Sequence, residues 1–466
     1  MKKQLSLWDG IMIVMGSMIG SGIFIVSSDM MRQLGSGYWV IAVWLITTFA
    51  TIAAAICYGE MSSLFPKAGG QYTYLTETFG KMTGFLYGWS LFAVIQTGTI
   101  AAVAVAFGKF TGYIFPELND AAPLYQNGNF MITWMQILAI AVILLLTFIN
   151  TKGIQSGKIV QLFFTSSKII ALILLVIGGI YLIKSNLFSE NIAFGWDAFQ
   201  NLKGEGWTGI SGTALLGAIA AAMVGSIFSS VAWENVTFVA GEMKDPKRNV
   251  VRSMVIGTTL VMLLYLLINY VYLSALSRDE IAFAANDRVA VAAAEKLLGN
   301  TGTIAMAILV MISTFGCVNG IVLSGARVFQ TMAKDGLFLK QAIANNKYDV
   351  PERSLWLQGI WASLLCLSGQ YGNLLDMVSF VIVIFYMITV FGVIYLRWKK
   401  PELERSYKTF LYPVTPLIYL LIGTVFCVLL ILFKPNYTWP GFILILIGIP
   451  IYYLGKRKES KDNHIS

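Results

Sequence analysis

Four stretches of this chain, Tyr38 to Tyr58, Leu86 to Gly108, Met131 to Asn150 and Tyr437 to Gly455, contain no charged side chain. Crossing the hydrocarbon core of a bilayer as an α-helix takes about 20 apolar residues, and each stretch is long enough. A helix also pairs its own backbone polar groups, as hydrocarbon demands. A soluble reading would need a polar coat that is missing. Only 12% of the 466 residues are charged and 57% are hydrophobic, about half the charged share of an ordinary soluble domain.

Hydropathy predicts 12 spans, near 9–34, 39–65, 82–113, 131–150, 157–183, 210–241, 251–276, 301–333, 354–369, 374–396, 409–433 and 438–455. The net charge of +9 would suit a nucleic-acid partner if it were clustered. It instead tracks the predicted loops. With the N-terminus inside, 23 Lys and Arg fall on cytoplasmic segments and 7 on outer ones. That is the positive-inside bias, and it predicts both termini in the cytoplasm, membrane lipids as surroundings and no nucleic acid.

The four cysteines, Cys57, Cys317, Cys366 and Cys427, lie within predicted spans and read as small apolar residues. No cysteine occupies the outer loop 114–130, so no disulfide-linked heavy subunit is expected. Lys2 and Lys3 precede no short apolar region with a small-residue cleavage site, so no removable signal is expected. The only histidine is His464, which rules out a Ser–His pair or a two-His metal motif within the bilayer. No catalytic residue, cofactor or metal is predicted, and an intramembrane enzyme is set aside.

Two spans carry glycines or polar groups at mid-depth. Predicted span 1 holds Gly16, Gly20 and Gly22, and span 6 holds Ser229, Ser230 and Glu234. Small residues alone can serve close packing. A Ser-Ser pair and a carboxylate at the matching place of the second half point instead to an inverted repeat with two broken helices. Spans 1–5 and 6–10 would form the repeats, at residues 1–184 and 208–397, with spans 11 and 12 in 398–466. A break exposes N–H groups at one new end and carbonyls at the other, suited to a carboxylate and an ammonium. Glycine lets the backbone approach such a ligand closely. A zwitterion fits this better than a sugar.

Specific strings then resemble a known family. GSMIGSGIF at 16–24, YGEMSSLFPKAGGQYTY at 58–74, AWENVTFVAGEMKDPKRNVVRS at 232–253 and RWKKPELERSYK at 397–408 are similar to motifs of the amino acid–polyamine–organocation superfamily, in particular its L-type amino acid transporter branch. The resemblance implies an all-α membrane protein with 12 transmembrane helices in a LeuT-type 5+5 inverted repeat. It implies that N–H groups of Gly20, Ser21 and Gly22 bind the substrate carboxylate. Carbonyls of Met18, Phe228 and Ser229 would bind the amine, with Ile19, Ser230, Val231 and Glu234 beside them and Phe228 as an aromatic gate. Val231 stands where relatives usually carry Gly, which shrinks the side-chain pocket, and Glu234 stands where many have Asn. Ser406 replaces the usual Pro in a cytoplasmic loop.

Lys168, near the middle of span 5, would cost about 2.5–3.5 kcal/mol at that depth if uncompensated. The resemblance places it where sodium-coupled relatives hold an ion, bridging span 1 to span 8 near Ser313, Thr314 or Asn319. Sodium independence follows as an expectation, with a fixed ion pair and a transport role both open for Lys168. Glu234 has three readings: a tether to a neighbouring helix, a contact for a cationic substrate, or a proton carrier. Glu60, Lys109, Arg327 and Asp376 lie nearer span ends and are expected to pair or snorkel there. The leading expectation is a plasma-membrane, bacterial inner-membrane carrier of free neutral amino acids, by exchange or proton symport. A cationic amino acid or polyamine carrier is the alternative, and a nutrient receptor is the alternative of another class.

Overall fold

In a computed structural model, residues 5–118, 123–127, 130–182, 186–368 and 371–462 are described; Lys2, Lys3, Lys184 and His464 lie outside them. The chain is helical nearly throughout. Among the described residues nine helical segments are long and apolar enough to cross a bilayer, and Leu7–Met18 and Thr438–Leu454 are shorter apolar helices.

The first predicted span divides into α1 (Leu7–Met18) and α2 (Val26–Leu34). α3 (Gly37–Leu64) follows, then the short α4 (Gln71–Phe79). α5 (Lys81–Ser90) and α6 (Gln96–Ile114) are joined by a π-helical turn at Leu91–Ile95. α7 (Trp134–Thr151), α8 (Ile154–Leu182) and the small α9 (Leu187–Ile192) complete the first half. The sixth predicted span is again divided, into α10 (Gly212–Ser229) and a four-residue α11 (Asn235–Phe238). α12 (Pro246–Ala275), α13 (Arg278–Ala282), α14 (Val289–Lys334), α15 (Glu352–Ser368), α16 (Tyr371–Lys399), α17 (Val414–Phe433) and α18 (Pro435–Asp462) follow. Two small hairpins, Tyr125–Asn127 with Phe130–Ile132 and Ala198–Gln200 with Thr208–Ile210, sit in loops.

Local chemistry sets these ends. Ser6 with Asp9, Thr133 with Gln136 and Ser277 with Glu280 form reciprocal capping boxes that satisfy orphan N–H groups. Gly35 ends α2 in the left-handed conformation at φ 59°, and Pro246 opens α12, where its missing N–H costs nothing. The amphipathic stretch Ile281 to Leu298 is helical in parts, interrupted at Asn286 (φ 52°) and followed by a kink at Gly299 (φ 64°) inside α14.

Lipid-facing surfaces are apolar. α17 exposes Leu417, Leu421, Val425, Val428 and Leu432, one helical stripe. Charged groups near the helix ends are paired as expected: Glu60 with Arg397 and Arg405, Lys109 with Asp287, Arg327 with Glu242, and Asp376 with Lys434. The four cysteines are free and buried.

Candidate functional site

Both helix breaks line one chamber. α1 stops at Met18, Ile19 turns to an extended conformation, and a 3-10 turn at Gly22–Phe24 restarts the helix. The N–H groups of residues 20 to 22 therefore stand at a positive helix end. α10 stops at Ser229, and Ala232 takes φ 69° before α11 begins. A left-handed alanine costs about 1–2 kcal/mol, so the second break stores strain. The breaks press together: a Cβ on Gly22 would lie 3.0 Å from the Cα of Ser229.

The chamber is narrow in this conformation, with about 10 Å³ of free space for a water-sized sphere. Its lining includes Met18, Gly20, Ser21, Gly22, Phe228, Ser229 and Val231 from the predicted set. Ser17, Thr99, Val103 and Cys317 also line it and were not anticipated. Ser21 is fully buried and Phe228 closes one side at 5% exposure. Tyr265 of α12, also unanticipated, spans both breaks: its hydroxyl lies 3.0 Å from the Met18 carbonyl and 3.2 Å from that of Ser229. Three of the predicted residues stand apart. Ile19 directs its carbonyl to other partners, Ser230 bonds back to the carbonyl of Ile227 at 3.0 Å, and Glu234 is not part of the lining.

Lys168 is fully buried on α8 and ties down the first break. Its Nζ donates to the carbonyls of Gly16 at 2.6 Å and Ile19 at 2.5 Å. Ser313 of α14 donates to the same Ile19 carbonyl at 3.3 Å, so Lys168 and Ser313 meet on span 1. Thr314 instead bonds back to Val310, and Asn319 joins Gln161 and Asn150. A single ammonium thus satisfies carbonyls that the break would leave unpaired in an apolar interior.

The chamber is sealed at both ends. Toward the end predicted to face outward, Arg32 of α2 contacts Asp287 at 2.7 Å and the carbonyl of Ala282 at 2.7 Å. Lys109 of α6 reaches the same carboxylate at 3.5 Å. Toward the opposite end, Leu5 pairs with Met243 as an isolated parallel bridge, through Leu5 N to Glu242 O at 3.0 Å and Lys244 N to Leu5 O at 2.9 Å. The Glu242 side chain meets Arg327 of α14 at 3.1 Å, with both buried. The first seal joins α2 to α13 and the 3-10 turn that precedes α14, and the second joins the 3-10 turn after α11 to α14.

Comparison with known proteins agrees with this architecture. The profile of the amino acid permease family matches residues 5–452. The chain belongs to that family. The large neutral amino acids transporter small subunit 2 of Homo sapiens is 32% identical over 472 residues, spanning 100% of this chain and 83% of its own length. The Asc-type amino acid transporter 1 of Mus musculus is 30% identical over 464 residues, spanning 99% and 82%. The b(0,+)-type amino acid transporter 1 of Mus musculus is 26% identical over 458 residues, spanning 97% and 88%. This permease is accordingly a multi-pass membrane transporter and not an enzyme.

Glu234 of the permease sits at the start of α11, 3% exposed, and makes no ion pair among the described residues. The ring of Trp233, its chain neighbour, lies 4.7 Å from that of Tyr58 and 5.2 Å from that of Tyr386.

Proposed function

We propose that this permease carries free neutral amino acids with small side chains, without sodium, by alternating access. The observation that carries the reading is the sealed chamber between two helix breaks, which offers N–H groups and carbonyls together but no charged side chain in its lining. Such a chamber complements a zwitterion, whose two charged ends would meet main-chain dipoles of opposite sense. Relatives bearing amino acid transporter names support the same substrate class. Val231, Val103 and Cys317 narrow the space left for a side chain, which favours alanine or serine over leucine or phenylalanine. A cationic or polyamine substrate would find no carboxylate in the lining.

On this reading the helices form a LeuT-type 5+5 inverted repeat, residues 1–184 and 208–397, with 398–466 appended and both termini cytoplasmic in a plasma membrane. Met18, Gly20, Ser21, Gly22, Phe228 and Ser229 hold the substrate backbone, and Lys168 with Ser313 replaces an ion. Supporting this, the ammonium already occupies the carbonyls of Gly16 and Ile19. Transport proceeds without a disulfide-linked partner, since the buried cysteines are inaccessible to cross-linking.

The test is uptake of radiolabelled alanine, serine, leucine, arginine and putrescine into proteoliposomes, each with and without internal amino acid and with choline replacing sodium. Alanine and serine uptake, stimulated by internal amino acid and unchanged in choline, is the expected result. Uptake of arginine or putrescine alone would overturn the substrate class. Binding without uptake would favour a nutrient receptor.

A further inference from the structure

One hairpin joins the half-helices α2 and α10 at the end predicted to face outward. The strands Ala198–Gln200 and Thr208–Ile210 form it, and after Ser211 it runs straight into α10, which ends at the second break. Its first strand is bonded to the end of α2, the half-helix that begins beyond the first break. The Asn201 N–H donates to the Arg32 carbonyl at 2.9 Å, and Gln200 Nε2 donates to Gln33 Oε1 at 3.0 Å. Gly35 lets the hairpin approach: a Cβ there would lie 2.6 Å from the Phe199 carbonyl oxygen. α2 and α10 also touch directly, since a Cβ on Gly225 would lie 2.8 Å from the Cβ of Val26. Half-helices bonded at one end and packed this closely along their length have little freedom to slide past each other.

The same hairpin reaches across to α13. Trp207 Nε1 donates to Asp279 Oδ1 at 2.7 Å. The Arg278 guanidinium stands 4.2 Å from the Trp207 ring centre and 4.5 Å from that of Phe194, with Phe199 at 5.7 Å. A guanidinium held over aromatic faces is attracted by the ring quadrupole. Trp207 and Arg278 are partly exposed, so water can take over their polar bonds when the two sides part. The bonds of Arg32 to Ala282 and Asp287 cross the same boundary.

We propose that this hairpin is the clasp of the outer gate, with Trp207 and Arg278 as the positioning residues that hold it shut. α2, the hairpin and α10 move as one lid. Opening the outer route parts that lid from α13. The Trp207–Asp279 bond, the Arg278 stack and the Arg32 side-chain contacts then break together, while the main-chain bond from Asn201 to Arg32 persists. Neither Trp207 nor Arg278 lines the substrate chamber, so both act on transport only through the position of α2 and α10. The proposal rests on the alternating-access reading and names a part of its outer gate. Contacts made only in the closed form bias the equilibrium toward it, so weakening the clasp enlarges the outward-open population.

Cys317 supplies the reporter, because it is buried and lines the chamber. A membrane-impermeant thiosulfonate is applied to intact cells and, separately, to inside-out vesicles, and the labelled fraction of purified protein is read by mass. Cys317→Ser in each background identifies the chamber signal. Trp207→Ala and Arg278→Ala should each speed labelling from outside by about tenfold and slow it from inside. The double variant should add little more, because the two residues form one latch. Trp207→Phe keeps a ring under Arg278 without the N–H and should fall between. External KM and kcat for alanine exchange should both fall, since less is spent on opening and more on closing. Unchanged outside labelling in monodisperse variants, or labelling sped equally from both sides, overturns the proposal. A Gln33→Cys, Gln200→Cys pair should form a disulfide on oxidation and keep exchange within about twofold, because that bond lies within the lid. Failure of the pair to cross-link, or exchange lost on oxidation and regained in reductant, overturns it as well. If the variants behave as expected but alanine does not slow Cys317 labelling, the substrate reading fails and the clasp stands. A rise confined to inside-out vesicles overturns the topology instead.

Discussion

At the scale of single residues, the site depends on atoms that are missing as much as on those present. Gly22 lies against Ser229, where an added Cβ would meet the backbone of the second break at 3.0 Å. Overpacking of this kind costs about 1–3 kcal/mol even where neighbours adjust, and here the neighbours are the two breaks themselves. Gly22→Ala should therefore reduce alanine exchange at least about tenfold while leaving the protein folded in detergent, as read by uptake and gel filtration. Lys168 is the opposite case, a group whose removal leaves something behind. Lys168→Met removes the ammonium from the buried Gly16 carbonyl and leaves the Ile19 carbonyl to Ser313 alone, and a buried carbonyl left unpaired costs about 1–3 kcal/mol. It should lower thermal stability and abolish uptake, and added sodium should not restore it. Recovery in sodium would mean that the ammonium merely excludes an ion that the site can still hold.

At the scale of elements, the seals differ in how much each ion pair contributes. Glu242 and Arg327 are both buried, so Glu242→Gln leaves an uncompensated guanidinium and should destabilise by about 3–5 kcal/mol. Glu280→Gln breaks a half-exposed pair with Lys296 and should change stability by less than about 1 kcal/mol. Thermal melts of the two variants in one detergent check the ordering, and equal shifts would contradict it. The break in span 1 was legible because Gly16, Gly20 and Gly22 stand in an otherwise uniform apolar run. The break in span 6 was legible in place but not in extent: nothing in VAWENVTF announces that only four residues return to regular α-helix. Thr99, Val103 and Tyr265 were invisible for a different reason. Each sits in a long apolar helix whose face toward the chamber is fixed by packing against distant segments, and no motif marks it. Glu234 was noticed as a buried charge, yet the aromatic rings packed on its neighbour Trp233 come from α3 and α16, which spacing along one helix cannot reveal.

At the scale of the whole molecule, the two seals have meaning only with respect to a membrane, and the charge bias supplies the direction. The Arg32–Asp287 seal lies at the end bearing loop 277–288, and the Glu242–Arg327 seal lies beside the basic segment Lys244 to Arg252. Basic loops remain cytoplasmic because moving them across the bilayer is unfavourable during insertion. The first seal should then close the outer route and the second the inner route. Lys247 and Lys296 are exposed and lie at opposite ends. The four native cysteines are buried, so single cysteines at these positions would be the accessible thiols. In intact cells a membrane-impermeant maleimide should label Lys296→Cys readily and Lys247→Cys only after permeabilisation. The reverse pattern would invert the topology. It would also place the Arg32–Asp287 seal at the cytoplasmic face.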